Sequence, residues 1–285
     1  MRWPENAQGW PLAEHSRFVL SRPHRWHVQV AGTGPTLLLI HGAGGATQSW
    51  RSLFPLLAAD HHVIAVDLPG QGFTQMGARM RCGLDCVAED LLALMTSQNW
   101  KPDVLIGHSA GAAIALRMAE QMDAPPVIGL NAALDRFEGM AGWLFPLMAK
   151  ALSLTPFTAD IFTRTASSPG TVKRLLASTG STLDAEGIAL YRRLVTDRTH
   201  VDATLAMMSQ WTVDSLVSRL ASHQSRTLLV AGASDGAVPP EVSRRVASIM
   251  PRASFVKLDT LGHLMHEENP EYLAKLIRDF VADSA

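Results

Sequence analysis

The sequence predicts an α/β architecture: a mostly parallel, doubly wound sheet with a helical cap inserted into it. Three observations predict this. Short apolar runs alternate with amphipathic helical patterns from Thr36 to Asn131, and strand signals resume at Thr227. From about Ala133 to Trp211 there are helical segments and no convincing strand. One apolar run, Val104-Leu105-Ile106, enters Gly107-His108-Ser109-Ala110-Gly111, and an alanine-rich helical pattern begins at once. The expected division is a core of residues 1–132 and 212–285 and a cap of residues 133–211.

Taken in order, residues 1–16 look irregular. Arg17–Ser21 and Arg25–Val30 read as two strands with Pro23 in the turn between them, a hairpin at a sheet edge. Thr36–Ile40 is a buried-type strand that runs into His41-Gly42-Ala43-Gly44-Gly45. Thr47–Ala59 has helical spacing, with Pro55 interrupting its middle. His62–Val66 is the next strand and ends in the turn-rich Asp67–Phe73, where Asp67 is expected to tie down its own turn. Leu84–Gln98 reads as a helix. After the Gly-x-Ser-x-Gly strand a helix is expected to about Met122, and Pro126–Asn131 is a short strand. Within the cap, the density of Phe, Trp and Met between Phe137 and Phe162 suits a roomy apolar pocket. Val213–His223 reads as a connecting helix. Thr227–Val230, Pro240–Met250, Ser254–Leu258 and Pro270–Asp283 follow as strand, helix, strand and helix.

Composition excludes several classes. The 285 residues carry 25 Lys and Arg against 26 Asp and Glu, a formal charge of −1. That leaves no basic stripe for nucleic acid. A chain this long buries enough surface to need neither disulfide nor metal for its core. No run is long enough for a membrane span, and the start lacks the apolar run of a signal peptide, so a cytoplasmic location is expected. The two cysteines, Cys82 and Cys86, lack nearby histidines to complete a zinc site and are expected to be plain thiols. No carboxylate cluster suggests a magnesium site, no phosphate-binding P-loop is present, and no cofactor is expected.

The chemistry lies in the Gly-rich turns. A Gly-x-Ser-x-Gly between strand and helix places the serine on a strained turn, with its hydroxyl above the sheet. A serine nucleophile needs a base, and the base needs an orienter. Asp235 follows one late strand and His263 follows the next, so Ser109, Asp235 and His263 occur in the order that such a sheet requires. The oxyanion of an acyl intermediate needs preorganised N–H donors. Ala110 is the first candidate; the second is Ala43, with Gly44 its neighbouring alternative. His41 is expected to brace that loop rather than move protons.

These motifs resemble the α/β-hydrolase fold from Arg17 to the C-terminus. A finer resemblance rests on 25-RWHVQVAG-32, 107-GHSAGAAIA-115, 144-LFPL-147 and 178-STGSTLDAEG-187. They are similar to the magnesium-chelatase accessory proteins of phototrophic bacteria, associated with bacteriochlorophyll synthesis. The resemblance implies a role at or near magnesium insertion into protoporphyrin IX, with magnesium-chelatase subunits as partners. Any ATP hydrolysis for chelation would then belong to other subunits. Two readings follow: a serine hydrolase acting on a small apolar or tetrapyrrole ester, and an accessory protein that holds a porphyrin or a partner. Carboxylesterases, perhydrolases and lyases unrelated to pigment use the same scaffold. A dehalogenase is disfavoured, because it needs a carboxylate where Ser109 stands.

Overall fold

The computed structural model describes residues 1–135 and 168–283. Among the described residues, eight strands form one sheet: β1 (Ser16–Ser21), β2 (His24–Ala31), β3 (Thr36–Ile40), β4 (His62–Val66), β5 (Val104–His108), β6 (Val127–Leu130), β7 (Thr227–Gly232) and β8 (Ala253–Leu258). Their order across the sheet is β1-β2-β4-β3-β5-β6-β7-β8. β1 and β2 form an antiparallel hairpin at one edge, and β2 meets β4 antiparallel; every other pair is parallel. β3 and β5 lie side by side in the middle, so the loops after them emerge together at the carboxyl end of the sheet.

Alternation along the strands splits the core in two. Leu38, Ile40 and Leu105 face a layer that includes α2 (Leu84–Ser97) and α3 (Ala110–Ala119). Leu37, Leu39 and Ile106 face the other layer, with α1 (Leu53–Ala58) and the C-terminal helix. All six side chains are fully buried. Each such burial contributes roughly 2 kcal/mol, so a one-residue slip of a central strand would forfeit several of them at once.

Between β6 and β7 the described residues include three helices of ten residues or more: α4 (Pro169–Ser178), α5 (Ala185–Val195) and α6 (Arg198–Gln210). Each starts at a side-chain cap, from Ser168, Asp184 and Asp197 respectively. The aromatic-rich stretch Phe137–Phe162 lies outside the described residues. The chain continues through α7 (Asp214–Val217), α8 (Pro240–Ile249), α9 (Met265–Glu268) and α10 (Pro270–Ala282).

Two helices differ from expectation. The span expected as one helix from Thr47 to Ala59 is a 3₁₀ turn, Thr47–Trp50, followed by α1. Pro55 is the third residue of α1, where an N–H would have no intrahelical acceptor anyway. Val213–His223 is not one helix but the short α7 and a 3₁₀ turn, Leu220–Ser222. Leu216 and Leu220 are both fully buried, so the apolar spacing is satisfied even though the helix breaks between them.

Candidate active site

Ser109 sits at the junction of β5 and α3 with φ 52° and ψ −117°, a conformation that non-glycine residues rarely adopt. The neighbouring glycines make this turn possible. A Cβ on Gly107 would lie 2.2 Å from the Gly111 carbonyl oxygen, and one on Gly111 would lie 2.1 Å from that of Ile40. Ser109 therefore stands where a strand, a helix and the end of β3 approach too closely for any side chain at either glycine. Ala110 is the first residue of α3, and its N–H belongs to the turn whose donors lack intrahelical acceptors.

The loop after β3 passes directly against this turn. A Cβ on Gly42 would lie 3.0 Å from the Ser109 Cβ. The loop is held from several sides. His41 donates its Nδ1–H to the Gly42 carbonyl (2.7 Å), and its Nε2 accepts from Leu68 N–H (3.0 Å), so the ring is neutral and braces two loops. Gly44 donates its N–H to Gln71 Oε1 (2.8 Å). Its carbonyl accepts from His200 Nε2 (3.1 Å), while His200 Nδ1 accepts from Gly72 N–H (3.0 Å). The Gly44 N–H and carbonyl are thus both engaged within the protein.

Asp235 follows β7 and His263 follows β8. His263 Nδ1 and Asp235 Oδ2 are 2.8 Å apart, and the other carboxylate oxygen accepts from the N–H groups of Ala237 (2.7 Å) and Val238 (2.9 Å). Ser109, His263, Ala43 and Gly44 all line one cavity of about 600 Å³. Its wall is mostly apolar, with Leu175, Leu176, Val195, Val201, Leu205 and Met208 contributed by α4, α5 and α6.

One patch of that wall is polar. Ser49 and Tyr191 line the cavity, and both donate to Glu267 Oε1 at 2.8 Å, while Arg51 pairs with Oε2. His266 Nε2 lies 2.7 Å from Ser49 Oγ; since the serine proton goes to Glu267, the imidazole is the donor here. Burial pushes the Glu267 carboxyl up against the pull of Arg51 and the two hydroxyls. Asp67 is fully buried and held low despite its desolvation, chiefly by His27 at 2.6 Å. It also accepts from Thr47 N–H (2.6 Å) and Phe73 N–H (2.8 Å), so it ties its own turn to the 3₁₀ turn that begins at Thr47. Cys82 and Cys86 are free thiols, and burial pushes Cys82 up to about 11. Among the described residues, no group of three or more His, Cys, Asp or Glu gathers as a metal site would require, and no helix is long and apolar enough to cross a membrane.

Sequence reasoning singled out neither His200 nor His108 and His266, and these three rings carry a pH dependence. Desolvation lowers His200 to about 4 and His266 to about 3, and it holds His108 well below its ordinary 6.5. All three are neutral in the folded chain near pH 7 but titrate near 6.5 when unfolded. The unfolded state therefore binds more protons below pH 6.5, and stability is lost as pH falls from there through about 4 and then about 3. His200 alone is expected to contribute on the order of 3 kcal/mol to this loss. Thermal melts between pH 7 and 4 should show a falling Tm, shallower in His200→Gln; a flat profile would mean that these rings are solvated.

A profile of the alpha/beta hydrolase fold matches residues 35–270. The chain belongs to the α/β-hydrolase family. It is 42% identical, over 95% of its own length and 96% of the other, to the magnesium-chelatase 30 kDa subunit of Rhodobacter capsulatus. It is also 25% identical, over 100% and 98% of the two chains, to the 2-hydroxymuconate semialdehyde hydrolase of Pseudomonas sp. strain CF600. Among solved structures it resembles a thermophilic esterase from Thermogutta terrifontis, with TM-score 0.74 and 21% identity over 94% and 98% of the chains. That likeness bears on the fold alone. The resemblance seen in four sequence segments thus extends along nearly the whole chain.

Proposed function

We propose that this α/β-hydrolase-family chain is a serine hydrolase of esterase type that serves bacteriochlorophyll synthesis at or near the entry of magnesium into protoporphyrin IX. The observation that carries the chemistry is the 2.8 Å Asp235–His263 pair, whose histidine shares a cavity with the strained Ser109. In this reading Ser109 Oγ attacks an ester carbonyl, and His263 Nε2 takes its proton and later passes it to the leaving alcohol. Asp235 keeps the proton on Nδ1 and stabilises the imidazolium, and the N–H groups of Ala43 and Ala110 hold the oxyanion. Residues 133–211 serve as the cap over a core of residues 1–132 and 212–285, and the apolar cavity between them takes an apolar ester or a tetrapyrrole ester. The biological setting is supported by the 42% identity to a magnesium-chelatase subunit. By the same relation, the partners are the other chelatase components and the location is cytoplasmic.

The same identity favours a second reading, in which the fold holds a porphyrin or a partner subunit and the triad is not used. A fluorophosphonate probe separates the two. On the hydrolase reading it labels the wild-type chain at Ser109, and added protoporphyrin slows the labelling by occupying the cavity. Absence of labelling in folded protein would sink that reading, and unchanged labelling with porphyrin would remove the tetrapyrrole from the cavity.

A further inference from the structure

The loops that carry Asp235 and His263 are both held by one short segment between α4 and α5. The Thr179 carbonyl accepts the N–H of His263 (3.2 Å) and the N–H of Gly236 (3.0 Å). Ser181 Oγ accepts the N–H of Leu264 at 2.8 Å. Glu268 closes the same contact, since its carboxylate accepts from Gly262 N–H (3.0 Å) and Thr182 N–H (3.3 Å). Between them, Gly180 has φ +78°, and a Cβ there would sit 1.6 Å from the Ser234 carbonyl oxygen. A Cβ on Gly262 would sit 2.3 Å from the Gly180 carbonyl carbon. Backbone thus lies on backbone on both sides of the Asp235–His263 pair.

The core holds the opposite side of the same residue. The His263 carbonyl accepts from His108 Nε2 (2.8 Å) and from Asn131 Nδ2 (2.9 Å). His263 is therefore fixed through its carbonyl by β5 and by Asn131 just after β6, and through its N–H by a segment of the insertion. Leu175, Leu176 and Thr179 also line the cavity, so an occupant touches the element that bears on the His263 loop. From the far side, His200 on α6 holds the Gly44 carbonyl, so the insertion reaches the oxyanion loop as well.

We propose that Thr179-Gly180-Ser181 is a positioning strap: the insertion sets the alignment of His263 with Asp235 and Ser109, and whatever displaces the insertion displaces the base. The catalytic consequence rests on the hydrolase reading, whereas the positional claim does not. Misplacement of a catalytic group by about 1 Å costs on the order of 100-fold in rate, so a modest shift of the strap has a large readout.

The test uses Ser181→Ala, which removes one acceptor, and Gly180→Ala, which drives a methyl group into the Ser234 carbonyl. Ser181→Ala should slow fluorophosphonate labelling roughly 10-fold and Gly180→Ala roughly 100-fold, with kcat for a short ester falling in step and KM within about threefold. Ser181→Thr, which keeps the hydroxyl, should restore most of the rate. In parallel, NMR follows the His263 ring resonances, which report its contacts with Asp235 and His108, and the amides around it. Both alanine variants should move the His263 ring resonances, and the amides of Gly236, His263 and Leu264 should exchange faster. If Gly180→Ala fails to fold, Ser181→Ala decides. Unmoved His263 ring resonances with unchanged amide exchange in a folded variant overturn the strap. If the wild type does not label at all, the hydrolase reading fails, and the NMR measurements still decide whether the strap positions His263.

Discussion

Replacing Ser109 with alanine is expected to lower ester hydrolysis by ~10⁴-fold or more and to abolish fluorophosphonate labelling. The substitution removes Oγ and little else. Alanine keeps the Cβ, so the cost of φ 52° and ψ −117° at this turn is already present in the wild type. The Gly42 backbone, packed near the Ser109 Cβ, keeps its neighbour. Folding and cavity shape should therefore be unchanged, and the loss should appear in kcat rather than KM. Single-turnover kinetics with a chromogenic ester, read against the melting curve, checks both parts. Equal turnover by the alanine protein would remove Ser109 from the mechanism. The same variant answers the biological question in a strain lacking the gene: full recovery of pigment would favour the accessory role, and loss of pigment at normal protein level would favour hydrolysis.

Asp235→Asn should cost ~10³- to 10⁴-fold in kcat, although the shape of the side chain barely changes. The reason lies in the partners of its two oxygens. Oδ1 accepts two backbone N–H groups, from Ala237 and Val238, so an asparagine must place its carbonyl oxygen there. Its NH₂ then faces His263 Nδ1 and turns that nitrogen into an acceptor. The imidazole proton moves to Nε2, the nitrogen that on the hydrolase reading receives the Ser109 proton. The variant should fold normally and bind substrate with little change in KM. NMR should report the reversed tautomer at His263. A wild-type rate with the reversed tautomer would show that His263 is not the base.

Much of this was legible from local signals. The Gly-x-Ser-x-Gly turn, the second Gly-rich loop after β3, and the Asp and His after late strands are short-range patterns, because each depends on what one turn of backbone can accommodate. The strands were legible for a related reason: Leu37–Ile40 and Val104–Ile106 are buried on both faces, which leaves a continuous apolar run. Where two backbones satisfied the same spacing, local reading went astray, as at Val213–His223, where Leu216 and Leu220 are buried across a broken helix.

The contacts that align the site were not legible. Gln71 and His200 hold the two sides of the Gly44 peptide from positions 27 and 156 residues away, and Ser181 meets Leu264 across 83 residues. Ser178–Gly187 was distinctive as a pattern, but the need for a glycine at 180 exists only because the Ser234 carbonyl lies against it. The sequence by itself determined which groups are available for chemistry and the turn that lifts Ser109 above the sheet, because close backbone approach within one strand–turn–helix unit demands particular residues. Only the tertiary structure decided how those groups are aligned and which segment of the insertion holds them, because hydrogen bonds between distant backbones impose no pattern on the chain between them.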